Sequence, residues 1–161
     1  MQKVYEILHR IITHAAWCLL IYSFVYLLFI YKMLPQEIGV HFSAEGTFDL
    51  YDDKINAFYP YKVGFVVLFI SELAIWLAKR IKSGLKVDEQ GERRLKAVTI
   101  LWIDVFKFGI SIFFTYWSCC VVTQSAMCVP FVQGVIFAIG GGLLLLILAI
   151  VVIRIVNGEK K

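Results

Sequence analysis

A chain of 161 residues that is 60% hydrophobic and only 17% charged, with a mean hydropathy of +0.78, lies outside the range of ordinary soluble domains. The net charge of +4 is gathered in a few polar connections, so it is explained by membrane topology and does not indicate a nucleic-acid partner. The length allows one domain, residues 1–161, with no room for a separate soluble unit between its apolar runs.

The first apolar run, 11–33, is too long for a signal-peptide core and ends in Leu28 to Met33 without a small-residue cleavage site. It reads as a membrane helix. Runs at 61–78, 97–117 and 131–153 follow, each near the roughly 20 residues that cross a bilayer core at a 1.5 Å rise. The predicted fold is therefore an all-α integral membrane protein, a bundle of four transmembrane helices whose main non-protein partner is the lipid bilayer.

Orientation follows from the lysines and arginines, which insertion retains on the cytoplasmic side. The predicted basic hairpin 79–96 holds Lys79, Arg80, Lys82, Lys86, Arg93, Arg94 and Lys96, and Arg154, Lys160 and Lys161 close the chain. Both termini are expected in the cytoplasm of a bacterial cell, with the protein in its plasma membrane. The first connection carries Glu37, Glu45, Asp49, Asp52 and Asp53 against Lys54, and the third carries no charge, so both are expected outside.

The loop 34–60 is rich in Ile38, Val40, Phe42, Phe48, Leu50, Tyr51 and Ile55, which disordered linkers lack. Alternation of Ile38, Val40 and Phe42 suits a short strand, Gly39 and Gly46 suit turns, and an ordered extracytoplasmic hairpin or cap is expected. Its Leu34-Pro35, Ile38, His41-Phe42, Gly46, Asp49 and Lys54 resemble the signature of the bacterial membrane family known as domain of unknown function 1648 (DUF1648). The sequence departs from that pattern at Gly39, at Ser43 and at Phe48-Asp49-Leu50, where the family has Pro, Asn and a Pro-Asp-Gly turn.

The resemblance implies a loop between two membrane helices and, loosely, the role of the related Sdp-type immunity proteins, which protect a producing cell from its own secreted toxin and signal to a cytoplasmic repressor. His41, Phe42, Gly46, Asp49 and Lys54 are then candidates for contact with an extracytoplasmic peptide or protein. A cytoplasmic regulator is the corresponding candidate at Lys79 to Lys96. The plainer reading of His41, Asp49 and Lys54 is that they fasten the loop, since a single histidine lacks zinc-ligand spacing. No metal or cofactor is expected.

Within the runs, Glu72, Asp104 and Lys107 demand partners, because ionisable groups in lipid face protein or water-filled cavities. Glu72 and Asp104 fall at similar depth, and Lys107 lies three residues from Asp104 on the same helical face. The trio is either a clamp between helices 2 and 3 or an ion relay in a small transporter or ion-conducting subunit. Gly134, Ala138 and Gly142 form a smooth helix face suited to packing within the monomer or to homo-oligomer formation. Of the four cysteines, Cys119, Cys120 and Cys128 cluster toward the outer side, where a disulfide is chemically allowed. No catalytic constellation is present, so an enzyme is not expected.

Overall fold

The computed structural model describes residues 2–82 and 87–158, with side chains described over 5–82 and 87–151. Lys86 and the C-terminal Arg154, Lys160 and Lys161, read above as topological signals, therefore lie outside the described side chains. The chain forms α1 (Gln2–Ile30), a 3-10 turn (Tyr31–Met33), β1 (Glu37–Phe42), β2 (Phe48–Asp53), a second 3-10 turn (Lys54–Phe58), α2 (Tyr59–Arg80), α3 (Glu89–Thr123) and α4 (Val129–Gly158). Four helices are long and apolar enough to cross a membrane, as the four runs imply.

The helices overrun the predicted spans. Most of the added length is polar: α1 extends back through His9 to Gln2, and α3 begins eight residues earlier than the apolar run, at Glu89. Asp88 caps α3 by accepting from the Gly91 N–H at 2.6 Å, so Arg93, Arg94 and Lys96 are helical. Hydropathy marks where a helix would meet lipid, whereas capping marks where it ends.

The bundle is built around α3, which packs extensively on α1, α2 and α4. Ala16, Leu20 and Leu27 of α1, Leu68 of α2, and Phe114 and Val121 of α3 form a common core. Gly64 lets Leu20 and Phe114 close over α2, for an added Cβ would meet Leu20 at 3.2 Å. Instead of sharing in a four-way core, α4 lies along α3, and none of its apolar window is buried.

Within the monomer the small-residue face is largely uncovered. A Cβ at Gly134 would meet nothing within 4 Å and Ala138 is exposed, while a Cβ at Gly142 would stand 3.1 Å from the Trp102 indole nitrogen. The contact of α4 with α3 is set by Gly142 on Trp102 and Ile139 on Gly109. Replacing Gly142 with leucine should displace Trp102 and lower the melting temperature of purified protein, with a loss of about 1–3 kcal/mol for overpacking. Gly134→Leu, into open space, should stay within about 0.5 kcal/mol of the parent.

The expected hairpin is present as two antiparallel strands with irregular pairing about His41. Gly46 has φ +84° in its turn. Gly39 does not; its lack of a side chain instead makes room for the Phe48 ring, whose atoms would lie 2.3–2.7 Å from a Cβ. Phe48-Asp49-Leu50, the site of the departure from the resembled turn, is the start of β2.

Candidate functional site

Two constellations stand out, one in the middle of the helices and one at the hairpin. The first joins α1, α2 and α3. Lys107 and Asp104 are fully buried, with side-chain exposure of 0% each. The Lys107 ammonium has three hydrogens and finds three acceptors: Glu72 Oε1 at 2.7 Å, Thr13 Oγ1 at 2.9 Å and Asp104 Oδ1 at 3.3 Å. The Thr13 hydroxyl, accepting from Lys107, donates onward to Asp104 Oδ1 at 3.1 Å.

The structure thus brings Glu72, Asp104 and Lys107 together and adds three side chains of α1. His9 Nδ1 lies 2.6 Å from Asp104 Oδ2, and the Trp17 indole donates to Glu72 Oε1 at 3.1 Å. On its far side His9 meets Lys79, whose Nζ lies 3.2 Å from Nε2. An ammonium has no lone pair, so Nε2 must accept and Nδ1 must carry the proton donated to Asp104. His9 in this arrangement is the neutral Nδ1–H tautomer.

His9, Thr13 and Trp17 escape the apolar-run reading, which starts helix 1 at Ile11 and singles out only the charged residues within the runs. Their signal is a spacing of four, a polar stripe on one helical face. His14, by contrast, bonds the Arg10 carbonyl of its own helix at 2.6 Å and stays outside the network.

Above the network the three helices present a purely packed layer, with Leu20 and Leu68 fully buried and Phe114 nearly so. Beyond it lies a second polar cluster, uncharged. Ser118 donates to the Tyr61 hydroxyl at 2.6 Å, and Tyr61 donates to the Ser23 carbonyl at 2.9 Å. Ser111, between the two clusters, spends its hydroxyl on the Lys107 carbonyl of its own helix at 3.0 Å.

At the hairpin, β1 turns inward and β2 outward. Ile38 is fully buried, and the Gly39 N–H donates to Gln124 Oε1 at 2.9 Å. Gln124 is also the left-handed C-cap of α3, at φ 50°, so one residue ends the helix and holds the strand. At the tip the Met127 N–H donates to the Gly46 carbonyl at 2.7 Å, tying the hairpin to the α3–α4 connection. The base closes through the Lys54 N–H on the Gln36 carbonyl at 2.9 Å, with the Lys54 ammonium 5.3 Å from the Tyr31 ring centroid.

The sequence-derived hairpin residues therefore have identifiable contacts. His41 and Asp49 pair across the strands at 2.6 Å and are both solvent-exposed, and Phe42 packs on Phe48 with ring centroids 4.3 Å apart. Gly46 touches the connection, and Lys54 closes the base. The surface left open is β2 itself, where Leu50 is 55% and Tyr51 60% exposed, with Ile55 beside them. Cys18, Cys119, Cys120 and Cys128 are all free thiols. Compared with models of protein families, with characterised proteins and with solved structures, the chain matches none.

Proposed function

We propose that this is a multi-pass protein of a bacterial plasma membrane, with cytoplasmic termini, that serves as a partner-binding component through its extracytoplasmic hairpin. The supporting observation is the asymmetry of that hairpin: β1 is fastened to the helices while β2 offers a free edge with Leu50 and Tyr51 exposed. Strand edges of this kind accept extended peptides, main-chain bonds giving affinity and alternate side chains giving selectivity. Glu37, Glu45, Asp49, Asp52 and Asp53 give the hairpin an acidic field suited to a basic peptide.

The resemblance to the DUF1648 signature supports the same direction, toward immunity or signalling in response to an envelope-active peptide. Lys79 to Lys96 is the corresponding candidate surface for a cytoplasmic regulator. A small transporter using Glu72, Asp104 and Lys107 is the competing reading, favoured by the buried charges. The packed layer of Leu20, Leu68 and Phe114 between the two polar clusters argues against a continuous conduction path.

Photo-crosslinking in living cells tests the binding role. A photoreactive residue at Leu50 or Tyr51 is expected to capture a peptide or protein, whereas one at buried Ile38 captures only its own chain. Equal labelling at the three positions, or none beyond lipid at Leu50 and Tyr51, rejects it.

A further inference from the structure

We infer that the charge network is a proton-binding site, loaded through His9 from the end of the bundle that carries Lys79, with Asp104 as the group that holds the proton. This goes beyond the hairpin reading and does not depend on it.

Charge counting comes first. With His9 neutral, as its two partners require, the network holds two carboxylates and the one ammonium of Lys107; Lys79 is solvent-exposed. A surplus negative charge in a packed interior is costly, and one added proton removes it. The distances decide which carboxylate is in surplus. Lys107 stands 2.7 Å from Glu72 but 3.3 Å from Asp104, and Glu72 also receives the Trp17 indole and is 35% exposed. Asp104 is fully buried and in direct contact with His9, so the proton belongs there.

The route is a single relay. A proton from water bonds to His9 Nε2 once the Lys79 ammonium withdraws; the Nδ1–H bond breaks and an O–H bond forms on Asp104 Oδ2, 2.6 Å away. His9 ends neutral with its proton on Nε2, Asp104 ends as the acid, and Lys107 keeps Glu72 as counter-ion. The new Nε2–H and the Lys79 ammonium are both donors, so loading holds Lys79 away from α1. Lys79 is exposed, so its ammonium can exchange His9 for water.

Among the described residues the titratable groups about His9 include Asp104 of α3, Lys79 and Glu72 of α2, and Tyr5 of its own helix, stacked with ring centroids 6.2 Å apart. An open cavity of about 290 Å³ lies at the same end, lined in part by Ala78, Lys82, Glu92 and Lys96, the first a chain neighbour of Lys79. The packed layer of Leu20, Leu68 and Phe114 closes the opposite direction.

Infrared difference spectroscopy on the full chain in lipid nanodiscs tests the site. Asp49, Asp52, Asp53 and Asp88 are replaced by asparagine, so that carboxyl-13C aspartate reports Asp104 alone without altering it. Lowering the pH from about 8 to about 4, across the ordinary imidazole and carboxylate ranges, is expected to raise an isotope-shifted carboxylic-acid carbonyl band. After a pH jump, His9→Gln should slow its appearance about tenfold or more, since an amide cannot relay a proton. Absence of the aspartate band, a buried-acid band that follows 13C-glutamate instead, or an unchanged loading rate in His9→Gln overturns the inference.

Discussion

Lys107→Met is expected to cost about 3–5 kcal/mol of stability, the range for removing one partner of a buried ion pair. The side chain fills similar volume, so the loss is electrostatic: Asp104, fully buried, and Glu72 are left facing each other with Thr13, Trp17 and neutral His9 as their remaining donors. Detergent-solubilised protein should unfold at markedly lower temperature and yield poorly. A triple variant, Lys107→Met with Asp104→Asn and Glu72→Gln, should recover most of the loss because the amides need no counter-charge. If the single variant melts within a degree or two of the parent, the network does not hold the helices together. If the triple variant is no better than the single one, packing around Lys107 matters more than its charge.

Gly46→Ala should release the hairpin from the helices. Two effects add: φ of +84° strains any residue with a Cβ, by about 1–3 kcal/mol, and the new Cβ would stand 2.2 Å from the Met127 carbonyl oxygen. That oxygen is backbone of the α3–α4 connection and cannot rotate aside as a side chain would. Relief requires the tip to lift, breaking the Met127 N–H bond to the Gly46 carbonyl. Hydrogen exchange over 37–53 should accelerate strongly while exchange in α2 and α3 stays as in the parent. Protection unchanged in the hairpin would mean that the tip contact contributes nothing to its order.

The contrast between these variants separates two kinds of stability in one small chain. The charge network fixes the rotation of α1, α2 and α3 about their axes, because only one rotation places His9, Thr13 and Trp17 against Glu72, Asp104 and Lys107. The hairpin is fixed at the opposite end by two attachments, the Gly39 N–H on the Gln124 side chain and the Met127 N–H on the Gly46 carbonyl. On the readings proposed above, a proton taken up by Asp104 would act on helix contacts near Lys79, and a partner on β2 would act near the α3–α4 connection.

Much of this was legible before any coordinates. Long apolar runs announce four helices because transfer into an apolar phase is nearly additive along a chain, and no knowledge of neighbours is needed to sum it. The hairpin was legible from Ile38, Val40 and Phe42 together with Gly46, since alternation and positive φ are local properties. Similar depth of Glu72 and Asp104 follows from counting residues at a constant rise, and Lys107 lies three residues from Asp104 on one face, which is why the trio could be assembled from sequence spacing.

What sequence could not supply was direction around each helix axis. A helix that is apolar on every side carries no record of which face packs, so α4 could be read as a core helix although it lies along α3 with its glycines largely uncovered. The roles of Gln124 and Gly39 joined residues 85 positions apart, and that of His9 with Asp104 joined residues 95 apart. The chain by itself determined how many helices there are, where each is apolar, and how its charges are spaced along it, because those quantities are sums along one segment. Tertiary structure alone decided which charges touch, since contact depends on the mutual rotation of three helices and is settled by the packing of all of them together.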